Sequence, residues 1–497
     1  MIFTNLNELF QQIVLGNSNG IALFTPSYSI TYKELNILSD RYAKKMLNNG
    51  FSRGDVLAVF NTKEKESYAI LLACLKIGVT YVNIDSESPI SRNLNILNRC
   101  NPKAIFIDHQ NEQLDSEFGK LFEIIEFSIE LNQEVSIKNE NHDGNTIAYI
   151  MFTSGSTGDP KGVAITHQNL LGFISWIKKR YQITECDRFA NLSPMYFDNS
   201  VFDFYGAIFN GATLCPVKKE ITDQPMALVN YVDEIKATIW FSVPSLLVYL
   251  INMRAVRSGV LTSVRVFTFG GEGFPKSILY KLFSIYKGSA KFVNVYGPTE
   301  GTCICSSYDI TEKDFKDLKE LPSLGTINQN FSYEILKEKN QKKGELIIIG
   351  PSISPGYYND SERSEKVFGT YKKGEYYLNR FYRTGDLVEE KKGLLYFIGR
   401  VDNQIKHMGY RIELEEIENG MNRVLGIQES AAIYKRVNDS YGKIYAYVVC
   451  KNLSQEEIKK NLKEYLPTYM IPNKIIMLNV LPKNQNGKID RKALLIF

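Results

Sequence analysis

The stretch YIMFTSGSTGDPKGVAITH, residues 149–167, sets the reading of the whole chain. It packs three glycines, two serines, three threonines and one lysine between apolar flanks. Residues 147–153 form an apolar, β-branched run that predicts a buried strand, and Val163-Ala164-Ile165-Thr166 predicts another. The glycine-rich part is therefore a loop between two strands. Such a loop suits anions, because glycine lets backbone N–H groups surround a phosphate, hydroxyls add donors and lysine adds charge. It is not a Walker A loop: Pro160 precedes Lys161, Gly162 follows it, and a strand rather than a helix comes next. The plain alternative is a surface hairpin loop.

At 497 residues the chain is long enough for two or three domains. A hydrophobic share of 44% and a charged share of 23% place it among globular proteins, and a net charge of +4 without long single-sign blocks demands neither nucleic acid nor a membrane surface. Residues 1–14 lack a basic start, a clean apolar core and a small-residue cleavage site; Phe3, Leu6, Leu9, Phe10 and Ile13 instead predict an amphipathic helix. No run of 18 apolar residues predicts a membrane span. The seven cysteines are odd in number and mostly lie in apolar runs, as expected of buried thiols in a reducing cytoplasm. Cys303 and Cys305, with only four scattered histidines, predict no zinc site.

Helix-like and strand-like segments alternate: residues 32–48 and 67–77 predict helices, and residues 56–60 and 80–84 predict short buried strands. That alternation predicts an α/β architecture with helix-covered sheets. Charged turns such as Glu389-Glu390-Lys391-Lys392-Gly393 then punctuate short strands, and a boundary falls near residues 400–404. We place the division between residues 1–401 and 402–497. The second part opens with an acidic helix at residues 413–421 and suffices for one small α+β domain.

Four further motifs follow the opening stretch in order: NVYGPTE (294–300), YRTGDL (382–387), GRVDNQIKHMGYRIELEEIE (399–418) and NGKIDR (486–491). With LKIGVTYVNID (75–85) and GELIIIGPSISPGYY (344–358), they resemble the adenylate-forming enzymes over almost the whole chain. Within that superfamily the chain is similar to amino-acid adenylation domains of the nonribosomal peptide synthetase type. Its length, FSVPS (241–245) and GGEGFP (270–275) lean toward stand-alone D-alanine:carrier-protein ligases and their relatives. The resemblance implies a large N-terminal core of two α/β subdomains plus a small β-barrel, followed by a small mobile α+β lid. It also implies two half-reactions at one site, ATP-dependent formation of an acyl adenylate and its capture by a phosphopantetheine thiol.

On that resemblance Thr153, Ser154, Gly155, Ser156, Thr157, Gly158 and Lys161 surround the β- and γ-phosphates. Asn294, Tyr296 and Thr299 belong to the nucleotide site, with Tyr296 stacked on adenine and Asn294 bonded to its edge. Glu300 holds Mg²⁺, since a hard cation bridging phosphates takes carboxylate oxygen. Asp386 accepts from both ribose hydroxyls, with Arg400 nearby, while Phe397 stands where many relatives carry a tyrosine hydroxyl. Lys488 is the catalytic cation of the first half-reaction, neutralising charge between the α-phosphate and the substrate carboxylate. Asp402 is the hinge of the lid, whose rotation brings Lys406 and Gly409 toward the thiol. Each has a plain alternative: a turn whose tyrosine packs, a solvated turn aspartate at Asp386, a solvated lysine at 488.

YFDNS (196–200) carries the substrate reading. Asp198 matches the position that pairs with an α-ammonium, which implies an α-amino acid; the alternative is a helix N-cap. By motif, Asn199, Phe202, Ser242, Phe267, Phe269, Val295, Cys303 and Ile304 line the side-chain pocket, and three inward phenylalanines would leave room only for a small side chain. Phe269 stands where D-alanine ligases are expected to carry a smaller residue, so the identity and handedness of the amino acid stay open. No carrier signature follows Arg491, so the carrier protein is expected in trans, and the family leans monomeric. An acyl-CoA synthetase shares the fold but has no use for Asp198. A catalytically silent nucleotide or amino-acid sensor would have little reason to keep Lys161, Glu300, Asp386 and Lys488 together.

Overall fold

The predicted strand at residues 147–153 forms as Ile147–Thr153 and lies third from the first edge of a seven-stranded sheet. In the computed structural model, which describes residues 3–108, 112–125, 142–155, 159–337, 342–373, 377–437, 442–451, 453–484 and 489–496, the strand after the loop is Lys161–Thr166. The sheet runs Gly356–Tyr357, Lys161–Thr166, Ile147–Thr153, Thr80–Ile84, Val56–Phe60, Ala104–Ile107, Glu123–Ile125. The pairings among Ile147–Thr153, Thr80–Ile84, Val56–Phe60 and Ala104–Ile107 are parallel, with Val56 opposite Thr80 and Leu57 opposite Ala104. Strands buried on both faces need continuous apolar runs, and Val56–Phe60 is buried at every position.

A second, nine-stranded sheet runs Thr326–Ile327, Ser306–Asp309, Lys291–Tyr296, Val266–Gly270, Ile239–Ser242, Arg188–Asn191, Thr213–Pro216, Ile21–Phe24, Ser29–Thr31. One continuous core joins residues of both sheets, Val59 and Tyr149 with Phe189 and Phe241. The helix Asn199–Ile208 is buried at all ten positions, as a helix without a polar face must be. Helix Tyr32–Asn48 starts where its sequence says: Thr31 accepts from the Glu34 amide at 3.2 Å while the Glu34 carboxylate accepts from the Thr31 amide at 2.8 Å.

Where the small β-barrel is expected, the described residues form a five-stranded sheet. Its order is Ser332–Lys337, Lys343–Ile349, Tyr377–Lys391, Phe368–Lys373, with Leu394–Arg400 also paired to the long third strand. Among the described residues no pairing joins Ser332–Lys337 to Phe368–Lys373. The 15-residue strand Tyr377–Lys391 is long enough to carry several partners along its length.

The chain divides into two compact units, one of residues 1–86, 100–151 and 162–399, the other of residues 87–99, 152–161 and 400–497. The second contains the hairpin Gln404–His407 and Tyr410–Glu413, turned by Met408 and Gly409 at φ 53° and 81°, and the three-stranded sheet Ile427–Arg436, Gly442–Cys450, Lys474–Met477. Helix Leu414–Asn422 packs on that sheet through Ile417 and Met421. Among the described residues no helix is long and apolar enough to cross a membrane.

Lys63 is a buried cation in the first unit. Its ammonium donates to the carbonyls of Asn191, Leu192 and Val217 at 2.7, 2.9 and 2.8 Å. Burial pulls its pKa down to about 7, opposed by the nearby Asp203 carboxylate. An ordinary lysine titrates near 10.5, so between these values the unfolded chain holds the extra proton and this group makes stability rise with pH. Lys63→Met is expected to cost roughly 3 kcal/mol by stripping donors from buried carbonyls. It should also remove a slope of at most about 1.4 kcal/mol per pH unit across that window, read by urea unfolding of both proteins.

Candidate active site

Polar groups of the first unit collect beyond the carboxyl ends of parallel strands, where open α/β sheets bind ligands. Tyr296 ends the strand Lys291–Tyr296, and its hydroxyl donates to Asp386 Oδ2 at 2.6 Å. The Asp386 amide donates to Thr384 Oγ1 at 3.0 Å, which fixes the carboxylate. Burial, then the Asp386 charge, raise the Tyr296 pKa well above the usual phenol value, so the hydroxyl stays a donor. The residues assigned to adenine and ribose thus touch. Asn294, two residues earlier on the strand, donates to the Ser323 carbonyl at 2.8 Å.

Glu300 lies in the short 3-10 helix Thr299–Gly301, fully buried, and accepts from the Tyr357 hydroxyl at 2.9 Å. Tyr357 was not singled out by sequence; its signal was its place in GELIIIGPSISPGYY, but only the folded chain brings it to Glu300. Beside Glu300, Thr299 Oγ1 donates to Asp198 Oδ2 at 2.6 Å. Asp198 occupies the N-cap position of helix Asn199–Ile208, but its side chain makes no capping hydrogen bond there. Burial, and next the charge of Asp198, raise the Cys303 thiol pKa, which places that thiol beside the carboxylate. Phe202, Val295, Cys303 and Ile304 share one core cluster, and Asn199 is buried at the start of the same helix.

Phe267 and Phe269, two of the expected lining residues, fall outside this cluster, and Ser242 pairs in register with Phe269. Phe267 and Phe269 pack into a separate cluster with Trp240 and Phe292, and Ser242 accepts from Trp240 Nε1 at 2.9 Å. Register pairs Trp240 with Phe267 and Ser242 with Phe269, so all point to one face of the sheet. The opposite face carries their neighbours. Phe241 meets Phe202 edge-on with ring centroids 4.9 Å apart, and Thr268 faces the hydroxyl of Tyr181, whose ring lies 5.0 Å from Phe202. Side chains alternate along a strand, so a one-residue error in alignment exchanges the faces. At Gly270 a Cβ would sit 2.5 Å from the Val295 carbonyl oxygen, which excludes a side chain there without a shift.

In the second unit, Ser154 Oγ donates to the Arg411 carbonyl at 2.6 Å. Lys161 lies near enough to Glu413 to favour its charged form, although burial dominates and raises that carboxyl. Arg400 pairs with Asp402 through two hydrogen bonds of 2.6 Å. Burial pushes Asp402 up, but the Arg400 guanidinium more than offsets it and holds the carboxyl below its usual value. Lys406 and Gly409 sit on and at the turn of the hairpin that begins at Gln404. Thr153 closes the strand Ile147–Thr153. Ser156, Thr157, Gly158 and Lys488 lie outside the described residues.

A family model described as AMP-binding enzyme matches residues 10–358, and one described as AMP-binding enzyme C-terminal domain matches residues 416–488. A D-alanine--D-alanyl carrier protein ligase of Listeria monocytogenes serotype 4b (strain F2365) is 34% identical over 492 residues, covering 94% of this chain and 93% of its own. The ligase of that name from Bacillus cereus (strain G9842) is 31% identical over 504 residues, 99% of each chain. The Vibrio cholerae adenylation domain AlmE, solved with glycyl-adenosine-5'-phosphate, has a TM-score of 0.85 at 22% identity, over 100% of this chain and 98% of that one. PA1221, a nonribosomal peptide synthetase protein with adenylation and carrier domains, has a TM-score of 0.86 at 24% identity, over 99% and 84%. At these identities the solved structures speak to the fold alone.

Proposed function

Because the chain belongs to the AMP-binding enzyme family, we propose that it activates a small α-amino acid with ATP and passes the aminoacyl group to the phosphopantetheine thiol of a separate carrier protein. The observation that carries the substrate reading is Asp198, whose carboxylate is spent on Thr299 rather than on capping its own helix. That places an anion beside the buried Phe202–Cys303 cluster, where an α-ammonium can pair with it. A fatty or aryl acid offers no such partner. The relatives' names point to D-alanine, and the objection raised by Phe269 lapses once that ring faces the other side of the sheet.

In the first half-reaction a substrate carboxylate oxygen attacks the α-phosphorus of ATP, the bond to the β-phosphate bridging oxygen breaks, and pyrophosphate leaves. Tyr296, Asn294 and Asp386 orient the nucleoside, with Thr299 and Arg400 beside them. The loop 153–158 with Lys161 holds the departing phosphates, and Lys488 neutralises charge at the reacting oxygens. Glu300 would fit one magnesium ion, since it supplies a buried carboxylate of the oxygen type that such a hard cation takes. Bound there, the ion would offset the negative charge of the phosphates. In the second half-reaction the thiol attacks the acyl carbon and AMP leaves, with Asp402 as the hinge and Lys406 and Gly409 toward the pantetheine. On this reading residues 1–401 are the core and 402–497 the lid, and the enzyme works as a cytoplasmic monomer.

The test is amino-acid-dependent ATP–pyrophosphate exchange across the proteinogenic amino acids, D-alanine, D-serine and β-alanine, with a fatty and an aryl acid as controls. Strong exchange with one small α-amino acid is expected, and D-alanine is the first to try. Exchange with a plain carboxylic acid instead would overturn the role of Asp198 and favour an acyl-CoA synthetase. Silence throughout would favour a sensor.

A further inference from the structure

The glycine-rich loop is supported from a helix that none of the motifs contains. Helix Ile90–Cys100 carries Arg92, Asn95 and Arg99 at spacings of three and four, hence on one face. Asn95 Nδ2 donates to Asp159 Oδ1 at 3.0 Å, and Arg99 Nη2 donates to Asp159 Oδ2 at 2.8 Å. Arg99 Nε also donates to Asn95 Oδ1 at 3.3 Å, so the two hold each other in place. Asp159 is the far shoulder of the loop, just before Pro160 and Lys161.

Arg92 adds an anchor on the same helix face. Its guanidinium donates to the carboxylate of Glu416, at 9% and 2% side-chain exposure. Burial raises the Glu416 carboxyl, opposed first by Arg92. Ser91, next to Arg92, donates to the Glu464 carbonyl at 2.6 Å, while the near-shoulder Ser154 hydroxyl donates to the Arg411 carbonyl. The far shoulder of a loop rich in glycine is thereby tied to this helix. Glycine segments lose most conformational freedom on ordering, so fixing a shoulder beforehand lowers what a bound phosphate must overcome.

We propose that helix Ile90–Cys100 is a splint for this loop: Asn95 and Arg99 fix Asp159, and the three act as positioning residues for the β- and γ-phosphates of ATP. This rests on the reading of the loop as the phosphate cradle. Asp159 makes the inference sharp, because an anion beside phosphates would by charge alone weaken ATP binding. Its removal would then tighten ATP. The splint requires the opposite sign.

The experiment is calorimetric titration of MgATP and of AMP into the full chain and into Asp159→Ala, with ATP–pyrophosphate exchange measured on the full chain in parallel. The splint gives an ATP Kd weakened about tenfold with the AMP Kd unchanged, since AMP lacks the two phosphates concerned. The exchanged pair Arg99→Asp/Asp159→Arg should recover most of the loss, which a general structural role would not predict. Unchanged or tighter ATP binding by Asp159→Ala overturns the proposal, as does equal weakening of ATP and AMP. A full chain that binds ATP no tighter than AMP overturns it too. Absence of exchange with the predicted binding pattern intact would remove amino-acid activation and leave the splint standing. Exchange with an indifferent Asp159→Ala removes the splint alone.

Discussion

Replacing Lys488 with alanine lowers amino-acid-dependent ATP–pyrophosphate exchange by about 10²–10³-fold in kcat while MgATP binding survives. The reaction brings a carboxylate against a phosphate that already carries negative charge. Without a cation between them the approach is repulsive, and the charge that develops toward pyrophosphate and the new acyl phosphate has no fixed counter-ion. A preorganised ammonium acts only at that point, so its loss appears in kcat and barely in nucleotide affinity. Lys488→Arg keeps the charge but not the compact shape, and recovers part of the rate. Exchange that continues at the original rate in Lys488→Ala would remove the lysine from the mechanism.

Asp198→Asn has the second large effect, on the other substrate. The amide keeps the shape and can still accept from Thr299 Oγ1, so the fold around Cys303 and Phe202 is preserved. What disappears is the charge that would meet an α-ammonium. A charge-assisted hydrogen bond is worth about 1.5–3 kcal/mol, so the amino-acid KM should rise roughly 10- to 100-fold with the ATP KM unchanged. The discrimination between an amino acid and its deaminated analogue should fall by the same factor. Equal losses toward both acids would mean that Asp198 only supports the fold.

The sequence carried a great deal of the fold. Helix Tyr32–Asn48 and strands Val56–Phe60, Thr80–Ile84 and Ile147–Thr153 lie where periodicity and apolar runs place them, because each depends on local pattern and burial. The small sheet was harder. A resemblance implied a barrel there, but closure depends on which strands of Ser332–Lys337, Lys343–Ile349, Tyr377–Lys391 and Phe368–Lys373 pair across distance. The pocket shows the same limit at the scale of one residue. Ser242, Phe267 and Phe269 were taken for its wall, while Phe241 and Thr268 stand on the face of Phe202.

By itself, then, the order of residues determined the class of the protein, its α/β architecture and the run of loops that carry glycine, carboxylate and lysine. These follow from chemistry written in contiguous residues, where a donor-rich loop or an apolar strand is recognisable without its neighbours. Only the tertiary structure decided that Tyr296 meets Asp386, that Tyr357 meets Glu300, and that Asn95 and Arg99 reach the far shoulder of the glycine-rich loop. Those partners lie far apart in the chain. Their meeting depends on strand order and on which face each side chain takes, and a shift of one residue reverses that face without altering the composition of the strand.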